Sequence, residues 1–182
     1  EAWRSRCEPS AALATQEVEL ASVAADDALA RSDLAAARTA IARGEGAWER
    51  ASAEEREQPE LRTARLDLLR SRGNLLIAEQ RYEESLHLAH ELVAIAEELA
   101  ARHPSVAHYR RSVGYGHGCL GVSQQHLGHW DEAQPAYRRA FEILNSPEDR
   151  VALPPGRRTE VGVYGACYAG IVLARRDAAA LE

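Results

Sequence analysis

The chain is predicted to be all-α, a stack of repeated antiparallel helix pairs, and three observations carry that expectation. Small residues recur with a step of 48, at Ala25, Gly73, Gly121 and Ala169. Apolar residues are spaced by three and four over long stretches, as in Tyr82, Leu86, Ala89, Val93, Ala96 and Leu99, which places them on one face of a helix. Breakers fall between these stretches, and no segment has to be a strand. A unit that recurs at a fixed period buries its apolar face against its neighbours, so the expected product is an array with long surfaces rather than a globule around one pocket.

About seven helices follow, over 11–31, 34–52, 60–80, 83–102, 105–128, 131–145 and 157–176. In the first pair Leu34, Ala37, Ile41 and Trp48 hold places related to those of the later units, and Ser52 to Glu60, rich in charge and closed by Pro59, reads as a connection. Leu76 and Ile77 fill the third helix. The fourth stops at His103-Pro104, because proline disfavours the helical conformation in its predecessor. The sixth is expected to be capped by Asp131, which leaves Pro135 in or beside the first turn, where N–H groups lack intrahelical partners. Asn145 to Gly156 reads as the next connection. The seventh helix is an echo: RRSVGYGHGCLG from Arg110 returns as RTEVGVYGACYA from Arg158. LARSDLAA at 29–36 returns as LARRDAAA at 173–180, although AAALE at 178–182 reads as a vector-derived tail. With the start at Glu1, this suggests a fragment of something larger. The units are then 11–52, 60–102, 105–145 and 157–176, in one repeat domain spanning 1–182.

The stretch LGVSQQHLGHWDEAQPAYRRAFEIL from Leu120 alternates small Gly121, Gly128, Ala133 and Ala140 with bulky Trp130, Tyr137 and Phe141. This pattern resembles the tetratricopeptide repeat, in which Gly121, Trp130, Ala133, Tyr137 and Ala140 match the small, aromatic, alanine, aromatic and alanine places in order. The second unit departs from it with Ser85, Ala89 and Leu92; the first has Ala25, Leu34, Ala37, Ile41 and Gly44. The step exceeds the family's usual 34 by about four helical turns, so each helix should gain about two turns. LAARHPSVAHYRRSVG, leading into the third unit, resembles long-period repeats that follow serine/threonine kinase domains in bacterial signalling proteins. The resemblance implies a right-handed α-solenoid of antiparallel helix pairs.

Composition removes several functions. With 22 basic and 28 acidic residues the net charge is -6, which disfavours a phosphate backbone as partner, so no nucleic acid is expected. Charges interrupt every apolar stretch before ~20 residues, so no membrane span is expected. The odd set Cys7, Cys119 and Cys167 contains two residues related by the step, which reads as reduced packing residues and a cytoplasmic setting.

No catalytic constellation survives inspection. Gly116 to Gly121 has the GxGxxG spacing, but it lies inside a helix rather than between a strand and a helix. Val93-Ala94-Ile95-Ala96 lacks the lysine a kinase would place there. His87 and His90, or His126 and His129, share a helix face, yet His117 lies about 180° from His126 at roughly 100° per residue, so four metal ligands do not converge. Cys119 and His117, two apart on a helix, do not face each other. Neither enzyme activity, nor a cofactor, nor a metal is expected.

The resemblance implies a concave wall lined by first-helix residues, with a protein or peptide partner in the groove. Its candidates are Asp67, Arg70 and Asn74; Tyr115, Val122, Gln125 and His126; and Val163 and Leu173. Arg70 and Asn74 resemble half of a carboxylate clamp, whose other half is missing because Cys119, Val163 and Cys167 stand where polar residues would serve; a solvated Arg and Asn is the plainer reading. The glycines of 114–121 and 162–170 each cost up to about 1 kcal/mol in a helix interior. Either helices approach closely over them, the preferred reading, or an apolar segment beds down there along Tyr115, Val122, Val163 and Leu173. The expected function is a non-enzymatic interaction module of a signalling protein, with a spacer or dimerisation role for an attached catalytic domain as the alternative. Tyr164, Tyr168 and Val172 are expected to lack a cover within the chain, so self-association through 160–176 is a further expectation.

Overall fold

The computed structural model describes residues 11–147 and 162–171, and every described element is helical. In order these are α1 (Ala11–Ala30), α2 (Leu34–Arg50), α3 (Ala53–Arg56), α4 (Pro59–Ala78), α5 (Tyr82–Arg102), α6 (Ala107–His126) and α7 (Trp130–Leu144), followed by a helical stretch at 162–171. The five longest carry 17 to 21 residues, the added length that the long step requires. Two compact units divide between Glu79 and Gln80, in the turn that follows α4.

The 48-residue step is written into the backbone of the turns. α1, α4 and α6 end at Ala30, Ala78 and His126, and α2, α5 and α7 begin at Leu34, Tyr82 and Trp130. Between them the described residues with left-handed φ are Ser32 (59°), Gln80 (61°) and Gly128 (81°), again one step apart. At the first of these the Asp33 N–H donates to the Ala28 carbonyl at 2.9 Å and the Ser32 N–H to Leu29 at 2.9 Å. His129 to Gln124 at 2.9 Å and Gly128 to Gln125 at 3.1 Å repeat that pair of bonds two steps later. This is the left-handed helix stop in which the last carbonyls are satisfied by the turn itself.

In the first unit α1 packs on α2 and α4, and α2 on α4. The core is built from Ala14, Val18, Ala21, Ala25 and Ala28 of α1, Ala37, Ile41 and Ala47 of α2, and Leu61, Ala64, Leu68 and Leu75 of α4. Alanines let the axes close up while the leucines supply apolar area, each worth about 1.5–3 kcal/mol when fully buried. Gly44 marks the closest approach: a Cβ there would stand 2.7 Å from the Ala21 Cβ and 2.9 Å from a Leu68 methyl. Ser52 to Glu60 is more than a connection, because Ser52 and Glu55 form a reciprocal capping box that closes the short α3.

In the second unit α6 packs between α5 and α7. Tyr115, Ala133, Tyr137, Ala140 and Leu144 form a core with Tyr164 and Ile171 of the 162–171 stretch. Two expectations are corrected here. The N-cap of α7 is His129, and Asp131 lies in the first turn, where its charge still suits the helix N-terminus. Pro135 therefore sits beyond the first turn, inside the helix, and removes the bond its N–H would have made to the Asp131 carbonyl. Both residues are exposed, so water can serve that carbonyl.

Candidate functional site

On α4 the wall residues Asp67 and Asn74 are half-buried, but Arg70 is not the solvated cation expected of it. It is 4 % exposed, and its guanidinium meets Asp26 of α1 side by side, Nη2 to Oδ2 at 2.6 Å and Nη1 to Oδ1 at 3.3 Å. Ser71 adds a hydroxyl 2.8 Å from the same carboxylate, and Asp67 stands 3.9 Å from the Arg70 Nε. With the cation buried and Asp26 half-exposed, removing the carboxylate would leave the Arg70 charge poorly compensated, which is costly. Arg70 is thus committed to an internal carboxylate, and the clamp-like reading loses its charged member.

The α6 candidates differ among themselves. Tyr115 is buried, and Val122 is half-buried against the core of the second unit. Gln125 turns toward α7, where its side-chain carbonyl accepts a 2.8 Å bond from the Tyr137 hydroxyl. Burial, then the neighbouring Cys167, pushes the Tyr137 hydroxyl well above its ordinary range, so it stays a donor. His126 is exposed and lies flat against Tyr82 of α5, ring centres 4.3 Å apart and planes within 2°. Val163 is 50 % exposed, and Leu173 lies outside the described residues. Of the described candidates in the second unit, the accessible ones are therefore His126, parts of Val122 and Gln125, and Val163.

Over 114–121 the glycine floor is closed from within, as the preferred sequence reading has it, whereas a Cβ on Gly162 or Gly170 would meet nothing within 4 Å. A Cβ at Gly121 would fall 2.6 Å from the Tyr137 ring, one at Gly118 2.3 Å from the Tyr164 ring, one at Gly114 2.7 Å from Leu144 and one at Gly116 2.6 Å from Val93. Of the residues expected to lack a cover, Tyr164 is 9 % exposed and its ring meets Gly118. Tyr168 packs on the same core, and Val172 lies outside the described residues.

A second surface escaped the sequence reading. On the side of α6 about half a turn from Tyr115 and Val122, a groove of about 650 Å³ runs between α5, α6 and α7, with Ala100, Val113 and Ile143 as apolar lining and Glu97, Arg110, Arg139 and Glu142 as charges. His117 lies on the same side of α6. Burial lowers its pKa, and Arg139 and His90 add to that while Glu97 opposes it. The groove is made by three helices, and no spacing within one of them announces it.

Among the described residues no group of three or more His, Cys, Asp or Glu could hold a metal ion, and no helix is long and apolar enough to cross a membrane. Cys119 and Cys167 are free thiols, the first buried and the second half-buried. No family model, curated protein or solved structure matches the chain.

Proposed function

We propose that the chain is a tetratricopeptide-like α-solenoid acting as a non-enzymatic interaction module, which holds a peptide or helix of a protein partner along its first-helix wall. The observation that carries this reading is the recurrence of one turn geometry at Ser32, Gln80 and Gly128, with helix ends in the same register. Repeat arrays in general stack such pairs in one direction and bind partners on the row of first-helix side chains, and the recurrence supports that reading here. The kinase-associated setting that the resemblance to long-period repeats implies is part of the same proposal, as is a cytoplasmic location.

The test begins with a random-peptide display library selected on the immobilised chain. Selected peptides are expected to lose at least about tenfold in affinity, or about 1.4 kcal/mol, on Val163→Glu and on His126→Glu, both at exposed positions. Peptides that bind both variants and the parent equally would place recognition elsewhere and overturn the wall.

A further inference from the structure

The same register exposes an incomplete pair of faces. In the first unit α4 beds on α1 and α2 through Leu61, Ala64 and Leu68, with Ser71 bonded to Asp26; all four are at most 1 % exposed. Their counterparts one step later on α6, namely Tyr109, Ser112, Gly116 and Cys119, are buried as well. One step earlier on α1 the counterparts are Leu13, Gln16, Leu20 and Val23, and these lie open: Leu13 is 45 %, Leu20 56 % and Val23 65 % exposed, with Gln16 exposed beside them. A face buried on α4 and on α6 is thus an exposed apolar stripe on α1.

The matching half lies on the 162–171 stretch. Tyr164, the counterpart of Leu20 and Leu68, inserts its ring over Gly118 of α6. The counterpart of Gly118 on the next helix is Ala166, and that of Val122 is Gly170; both are exposed, and a Cβ on Gly170 would meet nothing within 4 Å. Val163, the counterpart of Tyr115, is exposed on the same face. Large apolar side chains stand out on α1, and a shallow, uncharged seat with small residues at the receiving positions stands open on 162–171. Within the second unit the same combination of bulky ring and glycine is already a packed contact.

We infer that the occupant of each face is a second copy of this chain. The α1 stripe of one copy seats on Val163, Ala166 and Gly170 of the next, with Leu20 over Ala166 as Tyr164 lies over Gly118. Such a contact joins unlike surfaces, so it propagates head to tail and closes, if at all, only as a ring. This proposal shares the helix register and Val163 with the peptide-binding reading but needs no peptide at the wall, so changes at Leu20 and Ala166 test it while His126→Glu tests the wall, and the two can fail separately.

Sedimentation of the full chain from micromolar to millimolar concentration tests it. The parent is expected to grow in mass with concentration beyond a dimer. Leu20→Glu and Ala166→Glu, each at an exposed position, should each be monomeric alone, while an equal mixture should pair into species of roughly twice the monomer mass, because one variant keeps its seat and the other its stripe. Far-UV dichroism and melting verify that both variants are folded. A parent that stays monomeric throughout, a mixture that does not pair, or an Ala166→Glu protein that still dimerises alone would each overturn the head-to-tail contact, the last in favour of an α1-to-α1 dimer.

Discussion

At the scale of single residues, the departures from the repeat pattern are as informative as the matches. Ser85 stands where the third unit has the fully buried Ala133, and it is itself wholly buried. Its hydroxyl is satisfied by Ser123 of α6 at 3.0 Å, a pair of hydroxyls sealed between α5 and α6. The sequence marks Ser85 as irregular but cannot name its partner 38 residues away, because no local spacing links them. An unsatisfied buried hydroxyl costs about 1–3 kcal/mol, whereas replacing both partners by apolar groups is nearly neutral. Ser85→Ala alone is therefore expected to lower stability by about 1–2 kcal/mol in urea titration, and Ser85→Ala with Ser123→Ala by distinctly less than the sum of the two single changes. Strict additivity would show that the hydroxyls do not depend on each other. Arg70 teaches the same lesson: its place in the repeat could be read from the chain, and its burial against Asp26 could not.

At the scale of elements, the extents of the first six expected helices were legible to within about two residues, because alternation of apolar spacing and breakers is local information, while both ends of the seventh, 157–176, lie outside the described residues. The short α3 was missed even though its signature, Ser52 followed three residues later by Glu55, is present in the sequence. A charged stretch next to a proline reads first as a loop, and one turn of helix has no apolar periodicity to correct that. The turns carry a sharper consequence. Ser32, Gln80 and Gly128 adopt one left-handed conformation, yet that conformation costs a residue with a side chain about 1–2 kcal/mol. Only the third turn uses glycine. Gln80→Gly is expected to raise the thermal midpoint and Gly128→Ala to lower it, each by about 1 kcal/mol of stability. Since a Cβ on Gly128 would meet nothing within 4 Å, the second change tests backbone conformation alone. A Gly128→Ala protein as stable as the parent would mean that this turn relaxes out of its left-handed form.

At the scale of the whole molecule, the period of 48 was visible because turns of one geometry recur at Ser32, Gln80 and Gly128 with helix ends in the same register, and every described element is helical. Surfaces made jointly by three helices were not visible, and the groove between α5, α6 and α7 is the main example. His117 faces that region together with His90 and Glu97 of α5 and Arg139 of α7, and burial is the largest cause of its lowered pKa. In the unfolded chain it titrates near its ordinary value of about 6.5. Above that value folded and unfolded states are both neutral there, and the site places no load on the fold. As pH falls through about 6.5 the unfolded chain takes up a proton that the folded chain resists, so stability drains away until the lower folded value is reached. The urea midpoint of the parent is accordingly expected to drop more between neutral and mildly acidic pH than that of His117→Asn, which has nothing to titrate at this position. The difference between the two proteins isolates His117 from the carboxylates that titrate in both. Identical pH dependence in parent and variant would mean that the imidazole is as well hydrated in the fold as outside it, and that the groove side of α6 is open to water down to its floor.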